Sequence, residues 1–222
     1  FVFEVGGESF VLDCLAINIR FSFFLRQYFL DRGEISVSAR AGDHVIDAGA
    51  CFGDTAVCFS KVVGPSGLVH SFEPLGVHQQ ILRHNLAQNG CDNVKVHPHG
   101  LGSVNRGGEV DEGGIDPGHT AQSTTPLRTL DDMVDQGEVE RVDFIKIDIE
   151  GHEFSLLQGA KATISLFRPR MAISIYHKSQ DYFEIPKYIE SVFGNYRMFI
   201  ENYTISDAET ILYCLPSQRV GG

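Results

Sequence analysis

The stretch DFIKIDIEGHE, residues 143–153, sets Asp148, Glu150 and Glu153 close together behind an apolar run. A surface turn has no need of so much acid. A second stretch, ISIYHK, brings His177 and Lys178 to the end of another apolar run. Histidine, with a pKa of about 6.5, is the usual side chain for taking a proton from a hydroxyl or amine at neutral pH. His177 is therefore the candidate base. Asp148 is the residue that would orient it, hold an acceptor, or bind the amino end of a cofactor. Glu150 is the third catalytic candidate. Plainer readings exist beside these. Glu150 and Glu153 suit a helix N-terminus, whose dipole they complement. His177 could be a hydrogen-bonded, partly buried histidine with no chemical role.

The stretch HVIDAGACFGDTA, residues 44–56, has the form of a strand, a glycine turn and a helix start. Nucleotide-like cofactors bind at such turns in α/β proteins. A dinucleotide fingerprint beginning at Gly49 would need glycine at positions 51 and 54, where this chain has Cys51 and Asp54. Asp54 also occupies the expected helix N-cap, where its carboxylate would repel a pyrophosphate. A positively charged cofactor carries no such penalty. Asp47, two residues before Gly49, completes Asp-x-Gly-x-x-x-Gly, which suits S-adenosylmethionine with its ammonium and sulfonium. Gly49 and Gly53 let the backbone come close. The plainer reading is an ordinary tight turn with a solvated aspartate. Glu73, at the end of LVHSFEP, can accept hydrogen bonds from both ribose hydroxyls, as an acid does in nicotinamide enzymes too.

The expected cofactor contacts are then Asp47, Gly49, Ala50, Gly53, Asp54 and Thr55 around the turn, with Glu73 and Pro74 after the second strand. His99 and Leu101 follow the third strand, and Asp148 faces cofactor and acceptor alike. His97 and His99 have a spacing seen in metal sites, and Asp148 with Glu150 or His177 could hold magnesium. Neither set has a third ligand nearby or a dense acidic cluster, so no metal is expected.

Alternating elements must position these groups. Residues 1–13 read as a hairpin, two β-rich runs about a Gly-Gly-Glu-Ser turn. Residues 17–33 have helical apolar spacing closed by Gly33. Strands follow at HVIDAG, LVHSFEP, NVKVHPHG, RVDFIKIDIEG and RMAISIYH. Helices are expected at 54–63, 77–89, in RTLDDMVDQG, at 152–167 and at 184–193. YRMFIENYT and ETILYCLP read as a closing antiparallel pair. Residues 102–126 lack periodicity and suggest a mobile loop or a lid. The pattern implies a doubly wound, mostly parallel sheet, with ligands at the carboxyl ends of its strands. Two parts are expected: a cap or substrate region over 1–40, and a cofactor-binding domain over 41–222.

The chain has 222 residues, 43% of them apolar, enough for a substantial core. A net charge of −11 argues against wrapping a phosphate backbone, so no nucleic-acid partner is expected. Five scattered cysteines without a CxxC pair suggest neither a zinc ribbon nor a disulfide framework, and fit a cytoplasmic protein. No apolar run reaches the roughly 18 residues of a membrane span. The chain opens on Phe1 in strand-like sequence, which points to residues upstream. A small-molecule or glycan acceptor is the expected partner, and an oligomer is possible.

Taken together, VIDAGACFGDTA, HSFEP, LRHNLAQNG, DFIKIDIEGHE and ISIYHK resemble the FkbM-type methyltransferases, over roughly residues 44–215. The D-x-E-G-x-E turn is the most specific element. The resemblance implies a Rossmann-like class I methyltransferase fold, S-adenosylmethionine as cofactor and, usually, O-methylation of sugars, polysaccharides or secondary metabolites. It also implies that Asp47, Gly49 and Gly53 touch the methionine part, that Glu73 holds the ribose, and that Asp148 and Glu150 line the reacting end. Cys51 departs from the family, which often has asparagine there. A nicotinamide-dependent oxidoreductase and a non-catalytic S-adenosylmethionine-binding module are the competing readings.

Overall fold

Apolar strands separated by amphipathic helices leave both faces of a sheet in need of cover. The computed structural model, which describes residues 1–107 and 126–217, shows how this is met. The chain enters through β1 (Val2–Val5) and β2 (Glu8–Val11), paired antiparallel with Val5 opposite Glu8. Gly6 and Gly7 both have positive φ, as this two-residue turn requires. Helix α1 (Ala16–Ile19) then widens into a π-helical turn over Arg20–Phe24. The single helix expected over 17–33 therefore stops early. Arg26 leaves the helical region with φ of 51°. Gly33 is not a helix stop but the turn of a second hairpin, β3 (Leu30–Arg32) with β4 (Ile35–Val37).

The alternating part follows as β5 (His44–Ala48), α2 (Asp54–Val63), β6 (Leu68–Phe72), α3 (Gly76–Gln88) and β7 (Val94–His97). Two short strands, β8 (Gly100–Leu101) and β9 (Leu127–Arg128), pair in parallel beside it. Then come α4 (Leu130–Asp135), β10 (Phe144–Ile147), α5 (Glu153–Gly159), α6 (Lys161–Phe167) and β11 (Arg170–Ser174). The chain closes with α7 (Asp181–Phe193), β12 (Tyr196–Asn202) and β13 (Thr210–Pro216). The helix expected over 152–167 is thus two helices, broken at Ala160. At this corner Gly159 meets the carbonyl of Gly102 so closely that a Cβ would collide with it. Of the expected loop over 102–126, residues 108–125 lie outside the described residues, and so does its role as a lid.

Seven strands make one sheet in the order β12-β13-β11-β10-β5-β6-β7. The five from β11 to β7 are parallel, and β13 runs antiparallel to both its neighbours. This is the Rossmann-like, doubly wound, mostly parallel sheet with a C-terminal antiparallel pair. Strand order reverses between β5 and β10, so the ligand crevice falls at their carboxyl ends. Alternate residues feed separate cores. Val45, Phe144 and Tyr213 pack with α2, α3 and the N-terminal residues Phe10, Leu12, Phe23 and Phe29. Ile46, Ile145 and Ile147 pack with the helices α4 to α7. No helix among the described residues is long and apolar enough to cross a membrane.

Histidines on β6 and β7 lock the far side of the sheet. His70 and His97 share a ring-nitrogen hydrogen bond of 3.0 Å, and His97 stacks on Phe72 with ring centres 4.5 Å apart. Burial and a neighbouring histidine push His70 down to about 3 and His97 down to about 4. Both are neutral in the fold, whereas the unfolded chain binds their protons below about 6.5. Their contribution to stability is therefore present above that value and lost as pH falls toward 4. In urea denaturation the wild type should lose more stability than His97→Phe between pH 7 and pH 5, by up to about 2 kcal/mol, the share of one such histidine. An equal pH dependence in the two proteins would contradict this assignment.

Candidate active site

The floor of the crevice is built by strand register. Lys146 on β10 lies opposite Asp47 on β5. Both are interior to the sheet, 1% and 0% exposed. The Lys146 ammonium donates to the carbonyls of Gly49 at 2.6 Å and Ala48 at 3.1 Å, and faces Asp47 Oδ1 at 3.3 Å. Asp47 Oδ2 accepts from the Thr55 hydroxyl at 2.9 Å. Burial works against the Lys146 charge, but Asp47, Asp148 and Asp54 outweigh it and raise the ammonium above the usual lysine range. The glycine turn is thus pinned from below by its carbonyls.

Its amides are occupied as well. Gly49 and Ala50 donate to the Phe72 carbonyl at 3.0 and 3.1 Å, Gly53 to Ala50 at 2.7 Å, and Cys51 to Glu73 Oε2 at 2.9 Å. Glu73 Oε1 accepts from the Leu75 amide at 2.9 Å. Gly49 has φ of 79° and lies against the Asp148 carbonyl, where no Cβ fits. Asp54 opens α2 and accepts from Ser22 and, at 3.4 Å, from Asn18, both on the N-terminal helical segment. Burial pushes Asp54 up to about 6, with Ser22 and Lys146 opposing.

At the other end, Asp148 leaves β10 between two partners. The Tyr28 hydroxyl donates to Oδ2 at 2.6 Å, and His177 Nε2 lies 3.5 Å from Oδ1. The same Nε2 is 3.5 Å from Glu150 Oε2. His177 Nδ1 donates to Glu153 Oε1 at 2.8 Å, which also accepts the amides of Ile149 and Gly151. Burial opposes a charge on His177, but the Glu153 hydrogen bond and the carboxylates of Asp148 and Glu150 push it up to about 9. It is an imidazolium at neutral pH. Burial raises Glu150, with His177 opposing. Asp148, Glu153 and His177 offer ligand atoms within 4.8 Å of one another, a spacing a metal could use.

A cavity of about 420 Å³ runs along this crevice. That volume is ample for a cofactor-sized ligand. Of the residues singled out in the sequence, Gly49, Asp54, Thr55 and Glu73 line it on one side, and Pro74, Leu101, Asp148 and Glu150 continue the wall. Asp47, Ala50, Gly53 and His99 do not line it. Nor does His177, which stands behind Asp148 and Glu150 with its proton already bound. Asp148 lines the cavity, with His177 Nε2 beside it at 3.5 Å.

Sequence reasoning passed over Asn18, Ser22, Gln27, Tyr28, Lys146, Tyr176 and Glu209, all of which line the cavity. Lys146 had a signal: a lysine inside the apolar run FIKI must find acceptors indoors. The others are brought in by contacts far apart in the chain and left none.

The Methyltransferase FkbM domain family matches residues 47–205, more than half of the chain. The FkbM methyltransferase of Methylobacillus flagellatus KT is similar in structure, with 29% identity and a TM-score of 0.63 over 78% of this chain and 43% of that one. The chain therefore spans less than half the length of that protein. Fibrillarin from Aeropyrum pernix, solved with natively bound S-adenosyl-L-methionine, shares the fold at 14% identity and a TM-score of 0.52 over 83% of this chain and 70% of its own. An rRNA methylase from Streptococcus thermophilus does so at 11% identity and 0.53, over 81% and 90%. No functionally curated protein matches the sequence.

Removing one partner of a buried pair leaves the other charge uncompensated, which typically costs about 3–5 kcal/mol. Lys146→Met should lower stability by about that amount in urea denaturation, and by more than Lys178→Met. A loss below about 1 kcal/mol would mean that Lys146 does not hold the turn.

Proposed function

The chain belongs to the FkbM methyltransferase family, and from that premise we propose that it is an S-adenosylmethionine-dependent O-methyltransferase. Its acceptor is a hydroxyl of a sugar, polysaccharide or secondary metabolite. One observation carries the choice of cofactor. The amides of Gly49, Ala50, Cys51 and Gly53, which would cradle a pyrophosphate, are all bonded within the protein. What the cavity offers instead are acceptors: the carboxylates of Glu73, Asp54 and Asp148, and the buried, unpartnered Oδ1 of Asn18. A ligand that brings hydroxyl donors, an ammonium and a positive sulfur suits this set, and a dinucleotide does not.

In this reading Glu73 takes the ribose hydroxyls through its remaining lone pairs. Phe72, Pro74, Leu75 and Leu101 provide the apolar wall for the base. Asp54 and Asn18 take the amino end. Residues 1–40 act as the cap of a methyltransferase domain spanning 41–222, since they supply Asn18, Ser22, Gln27 and Tyr28. Asp47, Ala50, Gly53 and Thr55 act by holding the turn, and His99 by packing on Phe72.

When bound, the cofactor would supply a sulfonium methyl for in-line transfer to the acceptor oxygen, with the neutral thioether as leaving group. Asp148 accepts the hydroxyl proton. Tyr28 and His177 fix its two oxygens. Glu153 holds His177 in register, which makes both positioning residues. Alignment contributes about 7–11 kcal/mol, and a base typically about 10²–10⁴-fold.

Calorimetric titration tests the cofactor. S-adenosylhomocysteine should bind at micromolar concentration or better, and NAD should not. Glu73→Gln should weaken binding about tenfold, the equivalent of one charged hydrogen bond. NAD binding without S-adenosylhomocysteine binding would refute the reading.

A further inference from the structure

Glu209 reaches the cavity from outside the matched residues 47–205, on the turn between β12 and β13. Its φ of 58° lies in the left-handed region, which costs a glutamate energy and must be imposed by its surroundings. Gln27, itself buried at 2% exposure, donates to Glu209 Oε2 at 2.5 Å, and the Tyr176 hydroxyl lies 3.4 Å from the same oxygen. Gln27 is fixed in turn through its backbone carbonyl, which accepts from Tyr213. Among the described residues Oε1 has no hydrogen-bond partner. One oxygen is thus tied back while the carboxylate lines the cavity. Burial and Asp148 raise the Glu209 pKa, against the bond from Gln27, so the group gains from any donor or cation brought beside it.

Of the basic groups nearby, His177 works against this shift from behind Asp148. Lys146 is committed to Asp47 and two carbonyls, and Arg106 belongs to the β8–β9 end, where its backbone pairs with Leu127. Glu150, Glu209, Tyr28 and Tyr176 line the cavity together with Asp148.

Resting on the O-methyltransferase reading, we propose that Glu209 is a specificity-determining residue whose Oε1 accepts a hydrogen bond from a second donor on the acceptor, next to the hydroxyl that is methylated. The acceptor class is then a vicinal diol or an amino alcohol. A carboxylate or phosphate in the neighbouring position is rejected, because it brings no donor and meets like charge.

Three probes with one carbon skeleton test this: 1,2-propanediol, 1-amino-2-propanol and lactate. Each has a secondary hydroxyl beside a neutral, cationic or anionic group. Their binding to the protein saturated with S-adenosylhomocysteine is read by saturation-transfer NMR at pH 7. The diol and the amino alcohol should bind, the latter more tightly, and lactate at least about tenfold more weakly, the scale of one charged hydrogen bond. Glu209→Gln should compress this ranking to about twofold, and Glu209→Asp, which keeps the charge, should restore it. Titration of each variant with S-adenosylhomocysteine reports whether its fold is intact. Lactate binding as tightly as the diol, binding by none of the probes, or an unchanged ranking in Glu209→Gln would overturn the proposal. Absence of S-adenosylhomocysteine binding to the wild type would instead strike the methyltransferase reading itself.

Discussion

A buried lysine beneath a glycine turn is the constraint on which the crevice depends. Lys146 cannot leave the sheet, and it cannot stay without acceptors. Its ammonium therefore draws the carbonyls of Ala48 and Gly49 downward and takes Asp47 as counter-ion. Once the carbonyls point down, the amides of the turn point away, toward Phe72 and Glu73. That orientation brings Glu73 against the turn and fixes the wall on which a ribose would lie. The same pull sets Gly49 against Asp148, so the two ends of the site share one rigid floor.

Above that floor the charges are sorted by depth. Lys146 and the His177 imidazolium lie at or behind the wall and Arg106 lines the β8–β9 end, while the carboxylates of Asp54, Glu73, Asp148, Glu150 and Glu209 line the space. A net negative chain could scatter acid anywhere on its surface. Here several carboxylates are half-buried or fully buried, and each is held by a named donor: Ser22 for Asp54, Cys51 and Leu75 amides for Glu73, Tyr28 for Asp148, Gln27 for Glu209. Such a lining is costly unless the ligand brings positive charge and donors. This is the ground for proposing a sulfonium cofactor and a neutral or cationic acceptor.

Much of this architecture was legible in the sequence, and what was not had a physical reason. The strand at HVIDAG, the helix over 54–63 and the closing antiparallel pair were readable, because period and punctuation agree there: Gly53 and Gly64 bracket the helix with positive φ. Gly33 misled, since a glycine ends a helix and turns a hairpin equally well. Glu73, Asp148 and Glu150 could be singled out because they stand at or just past strand ends, and all three line the cavity. The raised pKa of His177 was not legible, because it depends on folding bringing that side chain to the carboxylates of Asp148, Glu150 and Glu153. Tyr28 and Asp148 are 120 residues apart, and Gln27 and Glu209 are 182 apart. No local pattern announces such pairs.

The most direct measurement is a crystal structure of the protein soaked with S-adenosylhomocysteine. The account predicts ribose hydroxyls on the Glu73 carboxylate and the sulfur directed at Asp148, with the turn amides still bonded to Phe72. A ligand whose ribose lies away from Glu73, or one that breaks the Phe72 bonds to take the turn amides for itself, would contradict it.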